Sequence, residues 1–289
     1  MKHYTLTLIL VLALVPNLAL AQFDFNAEDD EPKPVKNTFY TTRIVNSHTT
    51  ESLEKQTLDF RINHRFGEIS GGAYEFFGLD QAMMRLGFDY GITDNLMVGI
   101  GRSAFEKTLD GFVKYRFMTQ HDNDKKRPLS ISLASGMSVN TLKWTDPDRK
   151  NYFTSRLNYS HQLMVARKFS EKFSLQLMPS LVHRNLIDST KYSNDVIAMG
   201  IGIRQKILPS VTLNLEYFYI APNQISDDFT HPLSLGIDIS TGWHTFQLHL
   251  TNATGTFEKA YMTQVSNRWD KGQIHFGFNI SREFHVGGY

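Results

Sequence analysis

The chain has 289 residues, with 30 Lys and Arg against 29 Asp and Glu, a net charge of +1 at pH 7 and no cysteine. Lack of cysteine excludes disulfides, thiolate metal sites, iron–sulfur clusters, covalent haem and a lipid anchor on cysteine, and a neutral chain without a basic run gives no support for nucleic-acid binding. The hydrophobic fraction of 41% leaves the solvent of the fold open, because a membrane barrel is apolar only on alternate residues.

Residues 1–21 read as a cleaved export signal. Lys2 and His3 give a positive start, Thr5 to Leu20 is almost wholly apolar, and Ala19-Leu20-Ala21 supplies a small-x-small cleavage site. Residues 22–56 form a lead-in. Phe23 to Asn37 contains AEDDEPKPVKN, charged and proline-containing, and reads as flexible. Thr42 to Thr57 is expected to lie in a barrel lumen or to form a periplasmic strand.

From Thr57 onward the period is two. In TLDFRINHRF, Leu58, Phe60 and Ile62 fall on one side, and Asp59, Arg61, Asn63 and Arg65 on the other, the pattern of a strand with one apolar and one wet face. The same alternation recurs in Ala82–Ile92, Leu96–Ile100, Val113–Phe117, Leu129–Ala134, Tyr159–Val165, Phe173–Leu177, Ile197–Ile203, Val211–Tyr217, Leu233–Ile237, Phe246–Leu250 and Ile274–Ile280. That gives about twelve strands.

The links between strands sort by parity. Thr93–Asn95, Ser170–Lys172, Leu208–Ser210 and Ser240–Gly242 are tight, and Gln120–Pro128 is somewhat longer. Gly67–Asp80, Asn140–Asn158, Leu186–Asp195, Ala221–Pro232 and Asn252–Lys271 are long, with Phe105–Asp110 a short exception. Outer-membrane barrels place short periplasmic turns on one rim and longer loops on the other; a soluble sandwich has no reason to sort its loops. Tyr90, Tyr159, Tyr217, Tyr219 and Trp243 cluster near strand ends, as an interfacial girdle requires. The non-apolar face carries Asp59, Arg61, Arg65, Arg85, Asp89, Lys114, Arg116, Glu216 and Asp238. These suit a lumen lining and would be costly in a dry core. The fold class is therefore all-β, a single antiparallel transmembrane β-barrel over 57–289.

The run Thr57 to Arg116, TLDFRINHRFGEISGGAYEFFGLDQAMMRLGFDYGITDNLMVGIGRSAFEKTLDGFVKYR, with TRIVNSHTTESL before it at Thr42 to Leu53, resembles bacterial outer-membrane barrels of the family called domain of unknown function 5777. The resemblance implies a barrel in the cell outer membrane and no particular activity.

Constellations for chemistry are sparse. A membrane-embedded lipid hydrolase uses a Ser–His pair oriented by Asn or Gln, in a motif like H-x-S-N-G. Gln264-Val265-Ser266-Asn267-Arg268 lacks the histidine and the glycine. In Asn46-Ser47-His48 and Tyr159-Ser160-His161 adjacent strand residues point to opposite faces, so neither pair is a dyad within one strand. The eleven histidines show no metal-site spacing, although Glu283 and His285 share a face. Gly99-Ile100-Gly101 and Gly200-Ile201-Gly202 open no helix, so they read as lumen glycines that admit bulky side chains. Gly71-Gly72 with Tyr74, Phe76 and Phe77 makes an aromatic first outer loop, either folded into the lumen, binding a ligand or lying on the surface.

The sequence thus points to a non-enzymatic barrel, a narrow porin-like channel or a structural or partner-binding membrane protein, with no cofactor. Its expected partners are outer-membrane lipid, lipopolysaccharide and the barrel-assembly machinery. A lipid hydrolase and a soluble exported β-protein are the alternatives. Extensive pairing of the lumen charges would brace the lumen and suppress conduction, but the early basic cluster outnumbers its neighbouring carboxylates, so a small, weakly anion-selective conductance is expected.

Overall fold

The computed structural model describes residues 31–187, 192–242 and 244–287; the expected signal peptide and Trp243 lie outside them. Strands form where the period of two runs: β1 Thr57–Glu68, β2 Ala82–Gly91, β3 Leu96–Ser103, β4 Leu109–Met118, β5 Ser130–Val139, β6 Leu157–Lys168, β7 Phe173–Arg184, β8 Asp195–Leu208, β9 Val211–Ile220, β10 Leu233–Ser240, β11 His244–Thr251 and β12 His275–His285. Each pairs antiparallel with its chain neighbours, and β1 pairs with β12 to close the barrel. Closure leaves no open edge, which a lipid environment demands because unpaired backbone groups find no water there.

Burial is inverted relative to a soluble sheet. Along β1, Asp59, Arg61, Asn63 and Arg65 are buried and point inward. On the outside Phe88, Ile100, Val113, Ile197 and Leu213 stand exposed, an apolar belt that lipid can cover. Tyr159, Tyr217 and Tyr219 face outward near the ends of their strands.

The tight turns hold themselves with side chains. Thr93 Oγ1 accepts the N–H groups of Asn95 and Leu96 at 3.3 and 3.0 Å, and Ser170 Oγ accepts those of Lys172 and Phe173 at 3.2 and 3.1 Å. Thr57 and His285 are register partners at the same rim, so the lead-in enters there. The long links occupy the opposite rim. The first of them does not enter the lumen with its aromatics: Tyr74, Phe76 and Phe77 are exposed.

The main apolar core lies inside the barrel. Phe39, Ile44 and Val45 of the lead-in meet Ala253, Tyr261, Met262 and Val265 of the last long link, against Met164, Met178, Val182, Val196 and Phe218 of the wall. The last link carries α1, Glu258–Thr263.

Candidate functional site

The site is the lumen together with what fills it. Residues 38–50 are buried from end to end apart from Tyr40, and a tight reversal carries them through the barrel: Ile44 N–H donates to Ser47 O, and Thr49 N–H to Thr42 O. Such a segment has backbone groups to satisfy away from water, and the inward wall supplies the partners. Glu216 of β9 is the main one. Its carboxylate accepts the backbone N–H groups of Val45, Asn46 and Ser47 at 3.2, 3.1 and 2.9 Å, the Asn46 amide at 3.0 Å and the Ser47 hydroxyl at 2.6 Å. Gln176 clamps the next turn, accepting from Thr50 N–H and donating to His48 O. Gln247 donates to Ile44 O at 2.7 Å and Asn279 to Val45 O at 2.9 Å.

The charged residues read from the sequence fall into this network. Asp59 accepts from Arg61 and Ser281, each at 2.7 Å, and Arg61 also reaches the hydroxyls of Thr41 and Thr42. Asp89 lies 3.9 Å from Arg61 Nε. Arg65 donates to Asn46 Oδ1 and Asn279 Oδ1, both at 2.9 Å. Arg85 pairs with Asp110 at 2.5 Å. Lys114 Nζ donates to the carbonyls of Glu51 and Thr49. Asp238 accepts from Gln247 at 2.9 Å. Arg116 differs: it is half-buried and binds Asn95 Oδ1 and the Asp94 carbonyl of the β2–β3 turn, so it sits at the mouth. Basic and acidic walls do not meet across the lumen; the lead-in stands between them and occupies Arg65, Lys114 and Glu216.

A second insert comes from the opposite rim. Glu258, at the start of α1, pairs with Arg43 at 3.2 Å and lies 3.3 Å from His48 Nε2. Phe112 packs under both, its ring 4.5 Å from that of His48 and 5.0 Å from the Arg43 guanidinium. Lys259 and Gln264 of the same insert hold Glu106 in the β3–β4 link at 2.7 and 2.8 Å. The two inserts therefore lock to each other as well as to the wall.

Two of the lumen glycines make this packing possible. A Cβ on Gly202 would stand 2.1 Å from Ile44 Cδ1, and one on Gly99 would stand 2.2 Å from the Phe112 ring. Neither position can carry a side chain while the lead-in and Phe112 keep their places.

The junction is expected to weaken at acid pH. Burial, then repulsion from Arg43, pushes the His48 pKa well below its ordinary 6.5 despite the nearby Glu258. Docked His48 is neutral, whereas a displaced one titrates near 6.5, so undocking takes up a proton and is favoured as pH falls below about 6.5. Burial would raise the Glu258 carboxyl, but His48 and Arg43 outweigh it and hold it low, which works in the same direction at more acid pH. Docking should weaken by up to about 1.4 kcal/mol per pH unit below about 6.5. Protease sensitivity of residues 38–53 against pH measures this, and His48→Gln should flatten the profile between about 5 and 6.5.

The other sequence candidates do not assemble. Ser266 is exposed, while the His275 ring is engaged by the Phe66 carbonyl and the Asn267 amide. Ser47 bonds Glu216 rather than a histidine. Among the described residues no group of three His, Asp or Glu is placed to hold a metal ion.

Closed topology, outward apolar belt and inward polar wall define a membrane-spanning β-barrel, which sets aside a soluble exported protein. The profile of the membrane-bound β-barrel domain family, domain of unknown function 5777, matches residues 39–284, and the chain belongs to that family. The matched region includes the lead-in that fills the lumen. No curated protein sequence matches the chain. Among solved structures it is similar to the NanC porin, at 8% identity and TM-score 0.48, covering 78% of this chain and 98% of that one. It is also similar to the KdgM porin, at 11% and 0.45, covering 79% and 99%. A third is an active-site mutant of Escherichia coli outer membrane phospholipase A, at 12% and 0.45, covering 80% and 91%.

Proposed function

We propose that the protein is an outer-membrane barrel closed at rest by its own lead-in, and that it passes solute or binds a partner when that plug is displaced. The observation that carries this reading is the engagement of Glu216 with three consecutive plug N–H groups, a saturated contact in a lumen that a simple pore would leave to water. The plug joins the chain at the short-turn rim, the periplasmic side in barrels of this kind, so a force or partner acting on residues 31–37 would act from the periplasm. The last long link, facing outside, holds the plug through Glu258. This reading assigns no reaction to the lumen. The charges expected to set a weak anion preference are engaged while the plug is docked, so selectivity belongs to the open form.

Osmotic swelling of proteoliposomes tests it. The intact chain should admit no small sugar, and a chain lacking residues 38–53 should admit it readily. Equal rapid swelling of both would overturn the reading. Orientation follows from the rims: a protease site inserted between Asp148 and Lys150 should be cut on intact cells, and one at Asp94 should be protected.

A further inference from the structure

Two histidines sit on the outward apolar face away from the strand ends. His64 of β1 is flanked by Phe66 and Phe278, with ring centroids 4.3 and 4.9 Å away. His161 of β6 is exposed toward the bilayer, and its Nδ1 lies 3.0 Å from Ser135 Oγ of β5, directly across the ladder. Ser135 is the single hydroxyl on an outward row otherwise made of Ile131, Leu133, Met137 and Val139. Val113 and Leu181 are the next register partners on either side. This pair is distinct from Tyr159-Ser160-His161 in sequence: Ser160 points inward, and the histidine finds its serine on the neighbouring strand.

A histidine kept only for packing gains nothing here. A leucine would face lipid without the cost of a polar ring, and ionisable residues placed in a bilayer ordinarily mark function. Serine satisfies one ring nitrogen; among the described residues none hydrogen-bonds the other. Depth adds a second argument. Tyr159 lies two residues nearer the long-loop rim and Arg167 six residues nearer the short-turn rim. At about 3.4 Å per residue and about 40° of tilt, His161 sits roughly 5 Å below the tyrosine and roughly 16 Å above the arginine. Interfacial tyrosines mark the headgroup level, so the pair lies where acyl chains join their headgroups.

We propose that Ser135 and His161 form a hydrolytic dyad for acyl esters of lipids in the surrounding leaflet, an activity separate from the plugged lumen. With its proton on Nε2, the imidazole accepts the Ser135 hydroxyl hydrogen at Nδ1. Ser135 Oγ then bonds the ester carbonyl carbon as its proton passes to His161, and the bond from that carbon to the alkoxy oxygen of the lipid breaks, the oxygen leaving with the proton as the deacylated lipid's hydroxyl. Water, the second substrate, attacks the acyl-serine with His161 again as base. This releases the free fatty acid and restores the serine. Among the described residues no carboxylate bonds the imidazole, so turnover is slow beside a full triad and single-turnover labelling is the sharper readout.

The intact protein, refolded into lipid vesicles, is treated with a long-chain fluorophosphonate and the adduct is mapped by mass spectrometry. Label at Ser135 is expected, absent in Ser135→Ala and slowed about 10²- to 10⁴-fold in His161→Asn, with heat-modifiable gel migration confirming that both variants fold. Fatty-acid release is then compared from phospholipid vesicles and from vesicles containing lipopolysaccharide, and release from either supports the proposal while naming the lipid. It is overturned if folded wild-type protein carries no label at Ser135, if His161→Asn labels equally fast, or if Ser135 labels but neither vesicle releases fatty acid.

Discussion

Replacing Glu216 by alanine should free the plug and leave the barrel standing. The Glu216 carboxylate is the acceptor shared by Val45, Asn46 and Ser47 N–H, the Asn46 amide and the Ser47 hydroxyl, and it is almost wholly buried. Removing it strands several buried donors, each costing about 1–3 kcal/mol when unmatched, and a broken buried charged contact typically costs about 3–5 kcal/mol. These values overlap rather than add, so a loss of about 3–5 kcal/mol in docking is expected, a shift of about a hundredfold to a few thousandfold in the docking equilibrium. The β9 ladder does not depend on this side chain. Gel migration of the folded barrel should persist while planar-bilayer recordings change from silent to conducting. A silent Glu216→Ala variant would show that the remaining contacts suffice to close the lumen.

The second large effect contrasts neighbouring positions on β5. Leu133 faces lipid and Ser132 faces inward. Leu133→Arg puts a charge into the bilayer and should cost about 2–4 kcal/mol near the midplane, read as a lower folding yield into vesicles. Alternation alone suggests that Ser132→Arg is mild, because a hydrated lumen tolerates charge. The filled lumen changes that expectation: Ser132 is fully buried and its hydroxyl donates to the Thr50 carbonyl at 3.3 Å, so an arginine there has to expel the plug. Ser132→Arg should insert at near wild-type yield and conduct, whereas Leu133→Arg should insert poorly and stay closed once inserted. Exchange of the two phenotypes would mean that the faces of β5 are reversed.

The barrel itself was legible because lipid and lumen impose opposite demands on alternate residues. TLDFRINHRF shows both, and the tight turns at Thr93 and Ser170 carry hydroxyl side chains that close them. The plug was not legible in the same way. FYTTRIVNSHTT has neither a period of two nor one of 3.6, since it is held mainly through its backbone by side chains far away in sequence, among them Gln176, Glu216, Gln247 and Asn279. Such pairings leave no local pattern. One signal was present. In β6 to β9 the inward row includes Met164, Ala166, Met178, Val182, Val196, Ala198, Phe218 and Ile220, so each of those strands carries apolar residues on its inward face among polar ones such as Gln176 and Glu216. A barrel strand of that kind faces lipid on one side and something dry on the other, which a water-filled pore does not offer. The glycines opposite Ile44 and Phe112 mark the same crowding from the wall. Charge alone placed Asp59, Arg61 and Lys114 on the inward face, but it could not show that their partners include plug hydroxyls and carbonyls rather than only one another.

Site-resolved amide hydrogen exchange on the protein refolded in lipid tests the central claim most directly. If residues 38–53 occupy the lumen, the N–H groups of Ile44, Val45, Asn46, Ser47, Thr49 and Thr50 exchange as slowly as those of the barrel strands, and Glu216→Ala speeds Val45, Asn46 and Ser47 while leaving β9 protected. Exchange of these amides in the wild-type protein at the rate of an unstructured peptide would contradict a plugged lumen outright.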